Sequence, residues 1–207
     1  MARPTTDPSL NRRLEILQSA IAVLAEKGYD GASMAEIAKN VGISAPALYH
    51  HFAGKEELFL EAIHEHQRRV EALFQSAQIS LDAPPADAVP EIVRRVLAIL
   101  GHEQTLLLLR ISLAEGPRHP NVAQAWETGL MKPVVDFVEP YFARQTALGR
   151  LRPAAFQSVW AAVMGSLVST VIARDIMGAA LFSGLDNDAL AGQITQIVLH
   201  GLLAAQD

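Results

Sequence analysis

The sequence predicts an all-α fold of about nine helices, and three observations support that prediction. Apolar residues recur at three- and four-residue spacing through most of the 207 residues. No stretch sustains the period-two alternation that is typical of β-strands. Glycines and prolines interrupt the apolar pattern at intervals that suit turns between helices. Half of the residues are hydrophobic, so the chain can bury a sizeable core.

The first predicted helix begins near Pro8 and ends at Gly28. Its apolar residues recur at helical spacing and comprise Leu14, Leu17, Ile21 and Leu24. We expect this helix to pack on the segment that follows it.

The stretch SMAEIAKNVGISAPALYHHFAGK, residues 33–55, predicts two short helices joined by a tight turn. Ser33 is a favourable N-cap, and Glu36 three residues later completes a capping box. Gly42 can end the first helix in a left-handed conformation. Ser44 then caps a second helix that has a proline in its first turn. This succession is the plan of a helix-turn-helix, a motif that can place its second helix in the major groove of DNA.

The same run resembles the N-terminal domain of TetR-family transcriptional repressors, down to the ALYHHF segment and the lysine three residues after it. The close resemblance covers about residues 14–62, and beyond it the helical layout is similar. It implies a three-helix DNA-binding bundle followed by a helical ligand-binding and dimerisation domain. It also implies a cytoplasmic homodimer that represses transcription from an inverted-repeat operator and is released by a small, hydrophobic effector.

The resemblance carries over to DNA-contacting positions in this sequence. Phosphate contacts are implied for Ser33, Ser44, Tyr49, His50 and Lys55. The recognition helix opens with Ala45, Pro46 and Ala47, which can contact thymine methyl groups but cannot form bidentate hydrogen bonds with guanine or adenine. Tyr49 is alternatively a core aromatic residue. Arg3, Arg12 and Arg13 are either a solvated helix start or an arm that contacts the DNA.

We divide the chain at residue 55. Residues 1–55 form the predicted DNA-binding domain, a connecting helix covers about residues 55–78, and residues 56–207 form the predicted ligand-binding and dimerisation domain. The net charge of −5 argues mildly against a nucleic-acid partner. However, residues 1–55 carry six basic and five acidic side chains, and residues 56–207 carry 11 and 17. Binding to phosphates would therefore depend on the placement of cations more than on bulk charge.

Further helices are predicted at about residues 86–100, 103–113, 122–148, 153–177 and 187–204, with a kink or break from Pro133 or Pro140 in the third. Residues 154–173 carry no charge, which suits either a membrane span or a subunit interface. We favour the interface because polar residues are scattered through the run. Its small residues and the apolar face of the last helix would pack against a second subunit, through Ala161, Gly165, Ser169, Ala173, Ile194, Ile197, Val198 and Gly201.

An effector pocket is expected in the C-terminal domain, with candidate lining residues Arg110, Trp126, Phe137, Trp160 and Met164. Ordinary core packing is the alternative for the aromatic residues. Arg110 follows an apolar run, so we expect its guanidinium to need a partner such as an anionic group of the ligand.

Two other function classes remain alternatives, a helical-bundle enzyme and a protein-interaction module. The sequence shows no nucleophile–base pair or phosphate-binding glycine loop, so we expect no enzyme and no cofactor. Glu61 and His64 have the spacing of half a di-iron motif, but the second half is absent, and we expect them and His66 to be solvated rather than metal ligands.

Overall fold

The computed structural model describes residues 8–76 and 79–202, and within them it confirms the all-α prediction, with helices and no β-strand. The helices, numbered along the chain, are α1 Pro8–Lys27, α2 Met34–Val41, α3 Ala45–His51, α4 Lys55–Gln75, α5 Pro85–Leu100, α6 Glu103–Glu115, α7 Pro120–Ala125, α8 Lys132–Ala147, α9 Phe156–Val171 and α10 Asn187–Leu202. A π-helical turn, Trp126–Met131, joins α7 to α8 without a break. The described residues therefore form nine continuous helices, apart from one short 3₁₀ turn.

The chain packs as two units. Of the described residues, the first comprises 8–68 and 103–130, and the second comprises 69–76, 79–102 and 131–202. Packing therefore places α6 and α7 with the helix-turn-helix, and the division between the units falls inside α4. The predicted division at residue 55 concerns function, and it stays a prediction.

The first unit encloses one apolar core. Helix α1 buries the predicted stripe, in which Leu17 and Ile21 are almost fully inaccessible. Leu48 of α3 and Phe52, the extended residue that follows this helix, reach the same core, as do Leu58 and Phe59 of α4. Helices α6 and α7 complete the core with Leu108, Ile111 and Val122. The helix-turn-helix is thus held from two sides, by α1 and by helices that lie far away in sequence.

The predicted distortion in the third C-terminal helix takes the form of the π-helical turn just before α8. Pro133 lies in the first turn of α8. A proline at this place lacks an N–H donor and crowds the carbonyl of Gly129 four residues earlier, so a wider turn relieves both problems. Gly129 itself is required by packing, because a Cβ here would lie 2.2 Å from Cγ2 of Ile63 in α4. Pro140, by contrast, lies inside α8 without ending it.

The second unit is built from α5, α8, α9 and α10. Helix α5 is its most buried element, with nine buried residues, and it packs along α10. The loop before α5 is anchored to α8, where the Tyr141 hydroxyl donates to the Ala83 carbonyl at 3.0 Å and the Arg144 guanidinium pairs with Asp82 at 2.7 Å. Helix α9 differs from the others because it buries only Leu167 and Val171.

Candidate nucleic-acid interface and effector cavity

The helix-turn-helix forms as its local sequence predicts. The Ser33 hydroxyl accepts a hydrogen bond from the Glu36 backbone N–H at 3.3 Å, and the Glu36 carboxylate accepts one from the Ser33 N–H at 3.1 Å, so the capping box is complete. Gly42 ends α2 in the left-handed region with a φ of 76°. Ser44 caps α3 by accepting from the Ala47 N–H at 3.2 Å. These caps fix the angle at which α3 leaves the turn.

Helix α3 presents part of its surface to solvent. Pro46, Tyr49 and His50 are exposed, and the Tyr49 side chain retains 54% of its accessible area. Ala45 and Ala47 are half-buried, while Ser33 and Ser44 are exposed at the starts of α2 and α3. The alternative that Tyr49 belongs to the core is therefore wrong. This exposed surface of α2 and α3 is the candidate interface.

Lys55 has partners within the first unit. Its ammonium group donates to the backbone carbonyl of Tyr29 and, at 3.1 Å, to that of Ala32, and it lies 4.7 Å from the centre of the Tyr29 ring. Lys55 therefore holds the turn between α1 and α2. An ammonium group has three N–H donors, so one remains for a phosphate oxygen.

Arg12 and Arg13 also hold the bundle together. Arg12 donates to the Val41 carbonyl at 3.1 Å, which ties α1 to the end of α2. Arg13 lies 4.5 Å from the centre of the Phe52 ring and pairs with Glu61 at 3.2 Å. Neither is part of a free arm, and Arg3 lies outside the described residues. Lys39 was not among the predicted DNA contacts, although it is an exposed cation in the last turn of α2. Its charge and its position in the motif could have identified it as a candidate phosphate contact.

A second group of residues fastens the α1–α2 turn and the start of α4 to α6 and α7, and no local pattern in the sequence predicts it. Glu115 accepts a hydrogen bond from the Tyr29 N–H at 3.4 Å. His119 lies 3.2 Å from the Asp30 carboxylate and 3.7 Å from that of Glu115. Asn121 donates to Glu56 at 3.2 Å. Polar contacts therefore reinforce the apolar packing of α6 and α7 against the helix-turn-helix.

The second unit contains an apolar cavity of about 90 Å³, lined by residues of α5, α8, α9 and α10 together with Leu151. Fourteen of its sixteen lining residues have no side-chain hydrogen-bond donor. The exceptions are Trp160, which has an indole N–H, and Tyr141, whose hydroxyl donates to the Ala83 carbonyl. Since no charged side chain lines this cavity, it suits a compact, uncharged apolar molecule.

The five residues expected to line an effector pocket do not come together. Trp160 and Met164 line the cavity. Phe137 stacks on Phe74, with ring centres 4.6 Å apart. Arg110 and Trp126 belong to the first unit. The expectation that Arg110 needs a ligand group as its partner is wrong, because its side chain is exposed and water can satisfy the guanidinium.

Helices α9 and α10 expose a largely apolar face. The small residues Ala161, Gly165 and Ser169 are solvent-exposed, and Ala173 is half-buried. A surface groove between the two helices is lined by nine uncharged residues, among them the predicted interface residues Ile194, Ile197, Val198 and Gly201. Ile197 is 67% exposed. The hydroxyls of Ser166, Ser169 and Thr170 donate to carbonyls of their own helix. These three groups therefore need no water when this face packs against another surface.

The run Phe156–Ile176, which joins α9 to its π-helical extension, is long and apolar enough to cross a membrane, and only 11% of its most apolar part is buried. Among the described residues, no three histidine or acidic side chains converge where they could hold a metal ion. His64 is exposed, but His66 is buried with 2% of its area accessible, so the expectation that it is solvated is wrong.

Comparison with known proteins gives two family matches. Residues 16–62 match the model of bacterial regulatory proteins of the tetR family. Residues 87–200 match the C-terminal domain of AefR-like transcriptional repressors. Together these matches cover both the helix-turn-helix and the helices that line the cavity.

Individual relatives agree with these matches. The transcriptional repressor AcnR of Corynebacterium jeikeium is 42% identical over 62 residues, which are 30% of this chain and 33% of that repressor. The chain thus matches about a third of that relative's length. Two crystal structures share the fold. The TetR-family regulator PfmR of Thermus thermophilus has a TM-score of 0.67 at 20% identity, with 93% of this chain and 99% of that chain covered. FadR of Bacillus subtilis in complex with stearoyl-CoA has a TM-score of 0.71 at 16% identity, with 90% and 97% covered.

Proposed function

The chain belongs to the TetR family of transcriptional regulators, and from that premise we propose that it is a homodimeric repressor that binds an inverted-repeat operator and leaves it when a small apolar effector binds. A regulator of this family is not an enzyme, so the helical-bundle enzyme is set aside. Its site of action is then the cytoplasm, where its DNA lies.

The observation that carries the DNA-binding proposal is the exposed surface of α3. Tyr49 is a large side chain that the fold leaves in solvent, beside the exposed Pro46 and His50. Two serine-capped helix starts flank it, and hydroxyl and N–H groups of this kind suit phosphate oxygens. Because Ala45, Pro46 and Ala47 cannot form bidentate contacts, we propose that bases are read mainly by methyl contacts and DNA shape.

The experiment is an electrophoretic mobility shift with the DNA that flanks the protein's own coding region. Replacing Tyr49 by Ala removes a hydrogen bond to a charged phosphate, worth about 1.5 kcal/mol or more, so we expect at least a tenfold rise in Kd. Leu113→Ala is the matched control, since Leu113 in α6 is 53% exposed. Sequence-independent binding, or equal affinity for both variants and the parent, would contradict the proposal and favour a protein-interaction module.

The dimer proposal rests on the face formed by α9 and α10. Two copies related by a two-fold axis place the same residues opposite each other, so any charge near the axis would meet its own copy. The run 154–173 has no charge, and the groove between the helices is lined without charge. A second subunit therefore covers this face without electrostatic cost, which we prefer to a membrane for a DNA-binding regulator.

The effector proposal rests on the cavity of the second unit. At about 90 Å³ it is smaller than the roughly 300–1,000 Å³ of typical ligand pockets. A ligand as long as the stearoyl-CoA bound by FadR of Bacillus subtilis would not fit this volume. A compact apolar molecule is the effector that the lining favours, and mass spectrometry of the purified protein would identify one that is carried over.

A further inference from the structure

The cavity and the exposed groove share part of their lining. Val159 and Val163 of α9 and Val198 of α10 line the cavity inside the second unit and also line the groove on its surface. These three side chains, the valine wall, are all half-buried. The space for an effector is thus separated from the proposed dimer face by a layer one side chain thick.

The wall is the side of the cavity that can yield. Elsewhere in the lining, Val93 and Val96 of α5 are each 4% exposed, and Leu167 of α9 is fully buried. Displacing those residues would compress packed protein, whereas the valine wall has open solvent behind it when the subunits are apart. Valine in a helix has one strongly preferred χ1 rotamer, so it cannot make room by turning its side chain. A molecule larger than the cavity must instead shift α9 and α10 outward.

We propose that occupancy of the cavity weakens association of the two subunits through the valine wall, so that the effector acts on the dimer face directly. The inference rests on the proposed homodimer and on the proposed cavity ligand. Because the valine wall includes residues of both α9 and α10, a shift of either helix changes the groove into which the partner subunit packs. By linkage, association must in turn weaken binding in the cavity by the same factor.

The test uses the full chain and Val93→Phe as a fixed occupant of the cavity. The added ring enters the cavity from α5 and can affect the groove only through the valine wall, because Val93 lines only the cavity. We expect sedimentation velocity across a dilution series to show a dimer Kd raised at least fivefold. Val93→Ala is the matched control, since it disturbs the same packing but enlarges the cavity, and we expect its dimer Kd to match that of the parent. Adding Val163→Ala to Val93→Phe makes room at the wall, so the double variant should have the dimer Kd of Val163→Ala alone, which allows for the place of Val163 in the groove.

Benzene allows a second experiment that needs no substitution. It binds an apolar cavity of about 150 Å³, so in a cavity of about 90 Å³ it must press on the valine wall. Methyl chemical shifts of the cavity valines report whether it enters, and the dimer Kd should rise at saturation. A monomer at every concentration would overturn the proposed dimer and this inference with it. Three outcomes would overturn the inference alone, with operator binding intact. The dimer Kd could be unchanged by Val93→Phe and by benzene, or it could be raised equally by Val93→Phe and Val93→Ala. The third outcome is a cavity that excludes benzene.

Discussion

At the scale of single residues, Tyr141 combines burial with a defined partner. Its side chain is 3% exposed, and its hydroxyl donates to the Ala83 carbonyl at 3.0 Å. Burial, which disfavours the charged phenolate, raises the pKa of Tyr141 to about 12. Because the pKa in the unfolded chain is about 10, the folded state favours the protonated form. Its contribution to stability is complete below about pH 10 and is lost as the pH rises towards about 12.

Replacing Tyr141 by Phe should therefore remove this loss of stability at alkaline pH. We expect the parent to lose more free energy of unfolding than Tyr141→Phe between about pH 9 and about pH 11. Urea unfolding of both proteins at the two pH values measures the difference. Tyr49→Phe, which alters an exposed hydroxyl, should follow the parent. If the difference in free energy of unfolding between the parent and Tyr141→Phe is the same at both pH values, the phenol does not contribute in this way.

Residue roles were predictable from sequence where they depend on near neighbours. The capping box of Ser33, the left-handed Gly42 and the buried pair formed by α3 and its C-cap residue all follow from residues within five positions of each other. The partners of Lys55 and Arg13 were not predictable. Lys55 contacts carbonyls 23 and 26 residues away, and Arg13 contacts a carbonyl 38 residues away. A long charged side chain looks the same in sequence whether it meets solvent, a phosphate or a backbone carbonyl.

At the scale of elements, α9 permits a test of the dimer face that leaves its own unit intact. A Cβ added at Gly165 would meet nothing within 4 Å, and the same holds for Gly192 in α10. Alanine in place of a helical glycine stabilises the isolated subunit by about 1 kcal/mol in both cases. At Gly165, however, the methyl group would keep a second helix from approaching closely.

We therefore expect Gly165→Ala to raise the dimer Kd at least fivefold, within the range of measured interface couplings, and Gly192→Ala to leave it unchanged. Sedimentation of both variants measures the two constants under the same conditions. If Gly165→Ala dimerises like the parent, the small-residue stripe does not lie at a close helix contact.

Helix positions were largely predictable, and helix partners were not. The apolar spacing placed α5 to within one residue, since residues 86–100 were expected and Pro85–Leu100 is found. Nothing local indicated that α6 and α7 pack with the helix-turn-helix. That assignment depends on contacts such as the one between Tyr29 and Glu115, 86 residues apart. A pocket in the C-terminal domain was expected, but only Trp160 and Met164 of its lining were identified, because a void is a property of several packed helices together.

At the scale of the whole molecule, the net charge of −5 must be reconciled with a DNA partner. The cations of the N-terminal region are mostly engaged, since Arg12 pairs with Glu15, Arg13 with Glu61 and Lys27 with Glu36. Lys39 is exposed and Lys55 retains one donor. The described residues of each subunit thus offer about two cations to phosphates, while hydroxyl and backbone N–H contacts release no counterions.

This count leads to a modest dependence of operator affinity on salt. A dimer that neutralises about four phosphates should show a slope of log K against log salt of about −4. We expect Lys39→Ala to reduce the magnitude of that slope by about two, one for each subunit, and to weaken binding to all sequences alike. Lys55→Ala is a poorer probe because it also releases the α1–α2 turn. Arg94→Ala, an exposed cation of the second unit, is the control and should leave the slope unchanged. A parent slope near −10 would mean that further cations contact the DNA, either ones that the fold pairs internally or Arg3, which lies outside the described residues. The exposed surface of α2 and α3 would then be only part of the interface.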